Sequence, residues 1–369
     1  MMRTLVLSLL AAVLISAETP ADGFRMNQTQ VLGSHNSYKQ AIDPSLLGLL
    51  RKDDPGQYAS LEYEHRPLSE QLDLGLRKLE LDVVHDPEGG RYARPLGLEM
   101  VRKAGLPAGL PYDPDRLMEK PGLKVLHVQD IDFRTNVYTF RQALEELREW
   151  SEAHPRHLPI AVTMNAKTGG PNRPGWARTL PFDRTAFDAW DAAIRSALPP
   201  GKLLTPDDVR GDFSSLEAAV LAHAWPTIGE ARGRFLFVLD ETGEKLETYV
   251  RGHPSLAGRM MFVNAREGRP EAAFRIVNEP IRDFHYIRKL VLAGYLVRTR
   301  ADANTREARE GDYTKMKAAF ASGAHFISTD YYLPNPAFGT GYQVKLPGNR
   351  PGRWNPLLAP PTDGLSPPE

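Results

Sequence analysis

Glu80-Leu81-Asp82 places two carboxylates two residues apart inside the apolar stretch 77–84. On a β-strand, residues i and i+2 leave the same face, so both acids point the same way. In a closed sheet that face is the interior, provided Leu79, Leu81 and Val83 point toward an outer layer. Two adjacent carboxylates repel, and one takes up a proton unless a cation sits between them. That cation is either a metal ion or an interior base such as Lys167 or Arg298. Asn36 and Asn165 add neutral oxygens, so a metal would meet Asn36, Glu80, Asp82 and Asn165. An all-oxygen set suits Ca²⁺ or Mg²⁺ rather than zinc. His35 and His127 form a second pair. Each titrates near neutrality, so one can serve as general base and the other as general acid in a single displacement. His85 falls in a loop entry, and the remaining seven histidines fall in structural contexts. Lys167 and Arg298 supply fixed positive charge, either as salt bridges to Glu80, Asp240 or Asp330, or as a clamp on an oxyanion or phosphate. The chain has no Gly-rich phosphate loop, no Gly-x-Ser-x-Gly elbow and no His-Glu-x-x-His zinc helix.

These residues need a scaffold that brings distant segments together. Short apolar runs at 29–33, 77–84, 124–128, 158–164, 235–239, 259–263, 295–299 and 325–329 read as strands. Between them lie helical stripes: Phe140, Ala143, Leu144, Leu147 and Trp150 within 139–154, Phe187, Trp190 and Ile194 within 183–197, and Tyr313, Met316 and Phe320 within 312–322. Eight strands alternating with helices predict a (β/α)₈ TIM barrel, with a doubly wound open sheet as the alternative. In a barrel the strand ends converge on one face. The polar clusters at His35-Asn36, Glu80-Asp82, His127, Asn165-Lys167, Asp240-Glu241, Arg298-Arg300 and Asp330 all sit at such ends.

The 369 residues carry 46 basic and 46 acidic side chains and no cysteine. The balanced charge lacks the basic excess of a nucleic-acid binder. The missing cysteine excludes disulfides, thiolate chemistry and a Cys-built zinc site. A 41% hydrophobic fraction with 25% charged residues excludes a disordered or fibrous chain. Residues 1–17 read as a secretory signal peptide, with Arg3 before the apolar run from Leu5 to Ile15 and small residues at Ser16-Ala17. The expectation is a secreted or periplasmic protein. Residues 24–346 read as one barrel domain. Residues 347–369, with seven prolines, read as a tail over the surface.

Ser34-His35-Asn36-Ser37-Tyr38, Leu79-Glu80-Leu81-Asp82 and Val125-Leu126-His127 together resemble the bacterial calcium-dependent phosphatidylinositol-specific phospholipase C family, within the PLC-like phosphodiesterases. Supporting stretches lie at 68–83, 122–133, 297–308 and 327–332. The resemblance implies a distorted TIM barrel and cleavage of phosphatidylinositol to diacylglycerol and a cyclic inositol phosphate. It implies that His35 stabilises the phosphoryl group and helps deprotonate the attacking 2-hydroxyl, and that His127 protonates the departing oxygen. Asn36, Glu80 and Asp82 match calcium-binding positions, with Ca²⁺ ahead of Mg²⁺. One position departs: the fourth strand of the family ends in a glutamate, where this chain has Asn165. The amide keeps an oxygen and loses a charge. A glycerophosphodiester phosphodiesterase or a sphingomyelinase D-like lipase shares Glu-x-Asp with a downstream His, but the former follows its first His with Arg, where Asn36 stands. A secreted phosphoester-binding protein without turnover is the non-enzymatic alternative. The expected partner is an inositol phospholipid or phosphodiester, met in transient contact with a membrane surface through rim segments 43–63 and 94–118. A monomer and no nucleic-acid partner are expected.

Overall fold

A computed structural model describes residues 20–170 and 174–358. The expected signal segment 1–17 and the last part of the Pro-rich tail lie outside the described residues. Ten strands appear in order: β1 Thr29–Ser34, β2 Lys78–Val84, β3 Lys124–Val125, β4 Ile160–Ala166, β5 Phe235–Leu239, β6 Met261–Val263, β7 Phe274–Ile276, β8 Leu296–Arg300, β9 Phe326–Thr329 and β10 Gly352–Trp354. Eight of them run parallel in the order β6-β5-β4-β2-β1-β9-β8-β7. A bridge between Asn264 and Phe274 brings the two ends together, so the sheet is a nearly closed, distorted (β/α)₈ barrel. The sheet is also loosely paired between β1 and β2, which share the single register pair Gly33 and Lys78. A Cβ on Gly33 would overlap the Lys78 carbonyl, so only glycine permits that approach.

Two expectations about strands need correction. The segment 124–128 is not a barrel strand. Its first two residues pair antiparallel with the end of β2, Val83 to Val125 and Val84 to Lys124, because the chain has already turned back through the long excursion 85–123. The eighth barrel strand is instead β7, three residues that show no periodicity before they pair with β8. The Pro-rich segment also does more than cover the surface. Gly352–Trp354 pairs antiparallel with the first half of β1, where β2 has diverged.

The helix Phe140–Ala153 forms as its stripe predicts. Thr139 caps it by accepting from Gln142 N at 3.1 Å, and Phe140, Ala143, Leu144, Leu147 and Trp150 are buried against the barrel. Burying each of the larger side chains stabilises the fold by about 1.5–3 kcal/mol. Arg184–Ala197 repeats the pattern with an Asp183 cap and buried Phe187, Trp190 and Ile194. A smaller apolar cluster lies beside the strand ends that carry the site, where Leu46 and Leu50 of helix Pro44–Asp53 pack with Val101, Ile131 and Phe133. Those leucines are packing residues. Leu106 and Leu110, in the excursion between β2 and β3, are 39% and 79% exposed. No helix among the described residues is long and apolar enough to cross a membrane.

Candidate active site

Strand alternation delivers the acidic pair as expected, with a third charge beside it. Lys78, Glu80 and Asp82 occupy every second position of β2 and share its inner face. Lys78 Nζ lies 2.6 Å from Glu80 Oε2. From β8, Arg298 donates to the same oxygen at 2.6 Å, and its other nitrogens hold Asn278 at 2.6 Å and Ser328 Oγ at 2.9 Å. Arg298 is therefore a buried counter-ion of Glu80 that also lines the cavity. Burial alone would raise the Glu80 pKa, but Arg298 and Lys78 outweigh it and hold the carboxyl well below the usual range. Asp82 accepts from Asn165 Nδ2 at 2.9 Å through Oδ1, and its Oδ2 lies 3.0 Å from Lys167 Nζ. The Lys167 side chain stays 30% exposed at the cavity mouth.

His35 and His127 are built alike. His35 follows β1. It is fixed there by its N–H to Thr329 O and by Ser37, whose hydroxyl accepts from Glu80 N at 2.7 Å. Its Nδ1 lies 2.9 Å from Asp330 Oδ1, and its Nε2 lies 3.6 Å from Glu80 Oε1. Burial works to raise the Asp330 pKa, but His35 and Arg300 prevail and keep it well below the carboxylate range. The imidazole therefore donates from Nδ1 and keeps its Nε2 lone pair toward the cavity. Burial, assisted by Arg300, lowers the His35 pKa and favours that neutral ring. Asn36 adopts a left-handed backbone with φ 47°, which asparagine tolerates, and donates to Tyr63 OH at 2.8 Å. His127 Nδ1 lies 2.6 Å from Asp132 Oδ2. A tight turn makes that pairing: Val128 and Asp132 exchange two backbone hydrogen bonds, with Asp130 left-handed at φ 70°. Asp132 is buried against Lys39 at 3.3 Å. Lys39 and His127 together outweigh its desolvation and lower its pKa.

All eight residues singled out in the sequence line one cavity of about 510 Å³: His35, Asn36, Glu80, Asp82, His127, Asn165, Lys167 and Arg298. Five residues not chosen as site residues from the sequence join the cluster: Asp330, Arg300 and Asp240, read there only among the polar strand ends, and Asp132 and Lys78. Lys78 was visible in the alternation that marks Glu80 and Asp82. Arg300 was visible two residues beyond Arg298, on the same face of β8. Arg300 reaches Asp330 at 3.1 Å and both His35 nitrogens at 3.4 Å, and it is 14% exposed. Asp240 is held by Asn264 at 3.2 Å, and burial pushes its pKa up to about 6. His65 lies beneath the site, 2.7 Å from the His35 carbonyl, and His85 packs on Phe182.

The expected calcium set of Asn36, Glu80, Asp82 and Asn165 lies along one cavity, with its acids paired to bases. Its two acids already hold Lys78, Arg298 and Lys167, and its fourth member spends an amide hydrogen on Asp82. Among the described residues no three His, Asp or Glu side chains gather as metal ligands. The set as arranged does not fit a divalent cation.

The family model described as phosphoinositide phospholipase C, Ca²⁺-dependent, matches residues 24–356. Among solved structures, the chain is similar to a calcium-dependent phosphoinositol-specific phospholipase C from Pseudomonas sp. The two share 17% identity over 92% of this chain and 100% of that one, with a TM-score of 0.53. A Ca²⁺-dependent phosphatidylinositol-specific phospholipase C from Streptomyces antibioticus is similar at 17% identity, over 86% of this chain and 97% of that one, with a TM-score of 0.52. At such identities the likeness is one of fold. No curated protein matches the sequence.

Proposed function

The chain belongs to the Ca²⁺-dependent phosphoinositide phospholipase C family, and from that premise we propose that it cleaves phosphatidylinositol-type lipids at the bond between phosphate and diacylglycerol. One observation carries the reading. Two histidines line one cavity, each holding a buried carboxylate at Nδ1, with cationic side chains beside them. That is the equipment of an acid/base displacement at a phosphodiester.

In this reading the inositol 2-hydroxyl attacks phosphorus and gives its proton to His35 Nε2. The bond from phosphorus to the glycerol oxygen breaks, and His127 Nε2 delivers a proton to that oxygen. The products are diacylglycerol and a cyclic inositol phosphate. Asp330 and Asp132 keep each ring oriented and stabilise its protonated form. Arg300 and Lys167, the less buried cations at the mouth, oppose charge developing on the phosphoryl oxygens. The proposed chemistry needs no step through a metal. The exposed Leu106 and Leu110 support a brief contact with the lipid surface. The pattern in residues 1–17 supports action outside the cytoplasm.

Phosphorus NMR of phosphatidylinositol incubated with the purified chain tests the proposal. A cyclic phosphate signal that disappears in His35→Ala and in His127→Ala is expected. Cleavage of sphingomyelin or glycerophosphodiesters in its place would keep the barrel and replace the substrate. Silence on every diester would favour a binding protein.

A further inference from the structure

The site's negative charge is already matched from within. Glu80 Oε2 is met by Lys78 Nζ and Arg298, both at 2.6 Å, and Asp82 Oδ2 by Lys167 Nζ at 3.0 Å. The first two pairs cannot relax into solvent. The side chains of Lys78, Glu80 and Arg298 are at most 4% exposed, and buried pairs are little screened. Each base is also held elsewhere, Lys78 by the Ser34 carbonyl at 3.1 Å and Arg298 by Asn278 and Ser328. Around the whole cavity, four acids (Glu80, Asp82, Asp240, Glu241) face four bases (Lys167, Lys245, Arg298, Arg300). Asn165, the position that would add a further negative charge, is an amide that donates to Asp82. A divalent ion among these oxygens would meet the Arg298 and Lys167 charges and would have to displace buried ion pairs. Removing one partner from such a pair leaves an uncompensated buried charge.

We propose that this chain carries its own cation where its family uses Ca²⁺: Arg298, with Lys78 beside it, neutralises Glu80, and the Lys167 ammonium on Asp82 faces the phosphate. The proposal deepens the phosphodiesterase reading and relies on it for the substrate, whereas the charge balance stands on the geometry alone. A lysine that bridges a carboxylate and a phosphoryl oxygen provides the positive charge of a metal without its coordination demands.

The decisive measurement is calorimetric titration of Ca²⁺ into the chelator-treated full chain, with thermal unfolding in Ca²⁺ and in EGTA alongside. No saturable binding below about 1 mM is expected, together with a Tm that moves by less than about 1 °C. Phosphatidylinositol hydrolysis in EGTA should stay within about twofold of the rate in Ca²⁺. Stoichiometric binding at micromolar Ca²⁺, or turnover lost in EGTA and restored by Ca²⁺, would overturn the proposal. The converse variant, Lys78→Met with Asn165→Glu, should gain saturable Ca²⁺ binding and a Ca²⁺-dependent rise in Tm. Asn165→Glu alone, at a half-buried position, should show the same sign more weakly. If neither variant gains binding, the assignment of the exclusion to these two residues is wrong. A chain that binds no Ca²⁺ and cleaves no diester under either condition would remove the phosphodiesterase reading and leave the cation assignment standing.

Discussion

His325 allows a quantitative test of the barrel away from the chemistry. It precedes β9 and is 2% exposed. Its Nε2–H donates to the Asn27 carbonyl at 2.9 Å, and the Val297 N–H donates to its Nδ1 at 3.1 Å. Only the neutral ring satisfies both partners, and burial lowers the pKa from 6.5 to about 4. The folded state therefore binds this proton less readily than the unfolded chain. The sign follows from linkage: stability is complete above about pH 6.5, declines as pH falls, and reaches its floor below about pH 4. The full depth is about 3 kcal/mol at 1.36 kcal/mol per unit, of which about 2 kcal/mol is already lost at pH 5. That is a sizeable fraction of the roughly 5–15 kcal/mol that holds a domain folded. Chemical denaturation at pH 7.5 and pH 5, on the wild type and on His325→Asn, isolates the term, because all other titrations are common to both. The wild type should lose about 2 kcal/mol more than the variant between the two conditions. Equal losses would refute the argument that this buried ring must stay neutral.

Asp330→Asn and Asp132→Asn each remove the carboxylate that orients a histidine, and each should lower kcat by about 10²–10⁴. Steady-state kinetics with unchanged KM checks this, and a loss below about threefold would remove that acid from the mechanism. Arg298→Met breaks a buried ion pair on Glu80 and should destabilise the fold by about 3–5 kcal/mol in urea denaturation. A loss below about 1 kcal/mol would mean that Lys78 alone satisfies Glu80. Leu106→Asp with Leu110→Asp should weaken binding to phosphatidylinositol vesicles in a sedimentation assay while sparing hydrolysis of a soluble inositol phosphodiester. Equal effects on both substrates would deny the loop a role in docking.

Much of the site was legible because strand alternation is rigid: once 77–84 is a strand, Glu80 and Asp82 must share a face, and so must Lys78. Two of the three helix stripes were equally readable, since a 3.6-residue period admits one buried side and Phe140 to Trp150 and Phe187 to Ile194 fell on it. Thr314–Ala321 instead buries Lys315 and Ala319 and leaves Met316 and Phe320 half-buried. Strand identity at the margins was not readable. Phe274–Ile276 is a strand only because β8 lies beside it, and Lys124-Val125 lost its place in the barrel because a distant turn reversed its direction. The partners of the two histidines were hidden for different reasons. Asp132 comes to His127 through a turn that needs a left-handed Asp130, a conformation no spacing rule announces. Asp330 meets His35 across 295 positions of chain, which local pattern cannot reach. The charge match around Glu80 was foreseen as one of two possibilities, and the bases that make it were fixed only by distances.

The pairing of β10 with β1 sets an order of events for a newly made chain. Thr29 and Trp354 stand side by side, and the strand they share leads directly to His35. The proposed base and its Asp330 partner thus lie 295 positions apart, and the last described strand supports the one that leads to the base. Such distant contacts form late, since the loop they close must first lose its freedom. A chain stopped short of Gly352 would have most of its strands and helices but an unsupported β1. The proposed base at His35 would then follow a strand that lacks its antiparallel partner. Activity recovered by a chain ending at residue 346 would show that β1 holds its shape unaided.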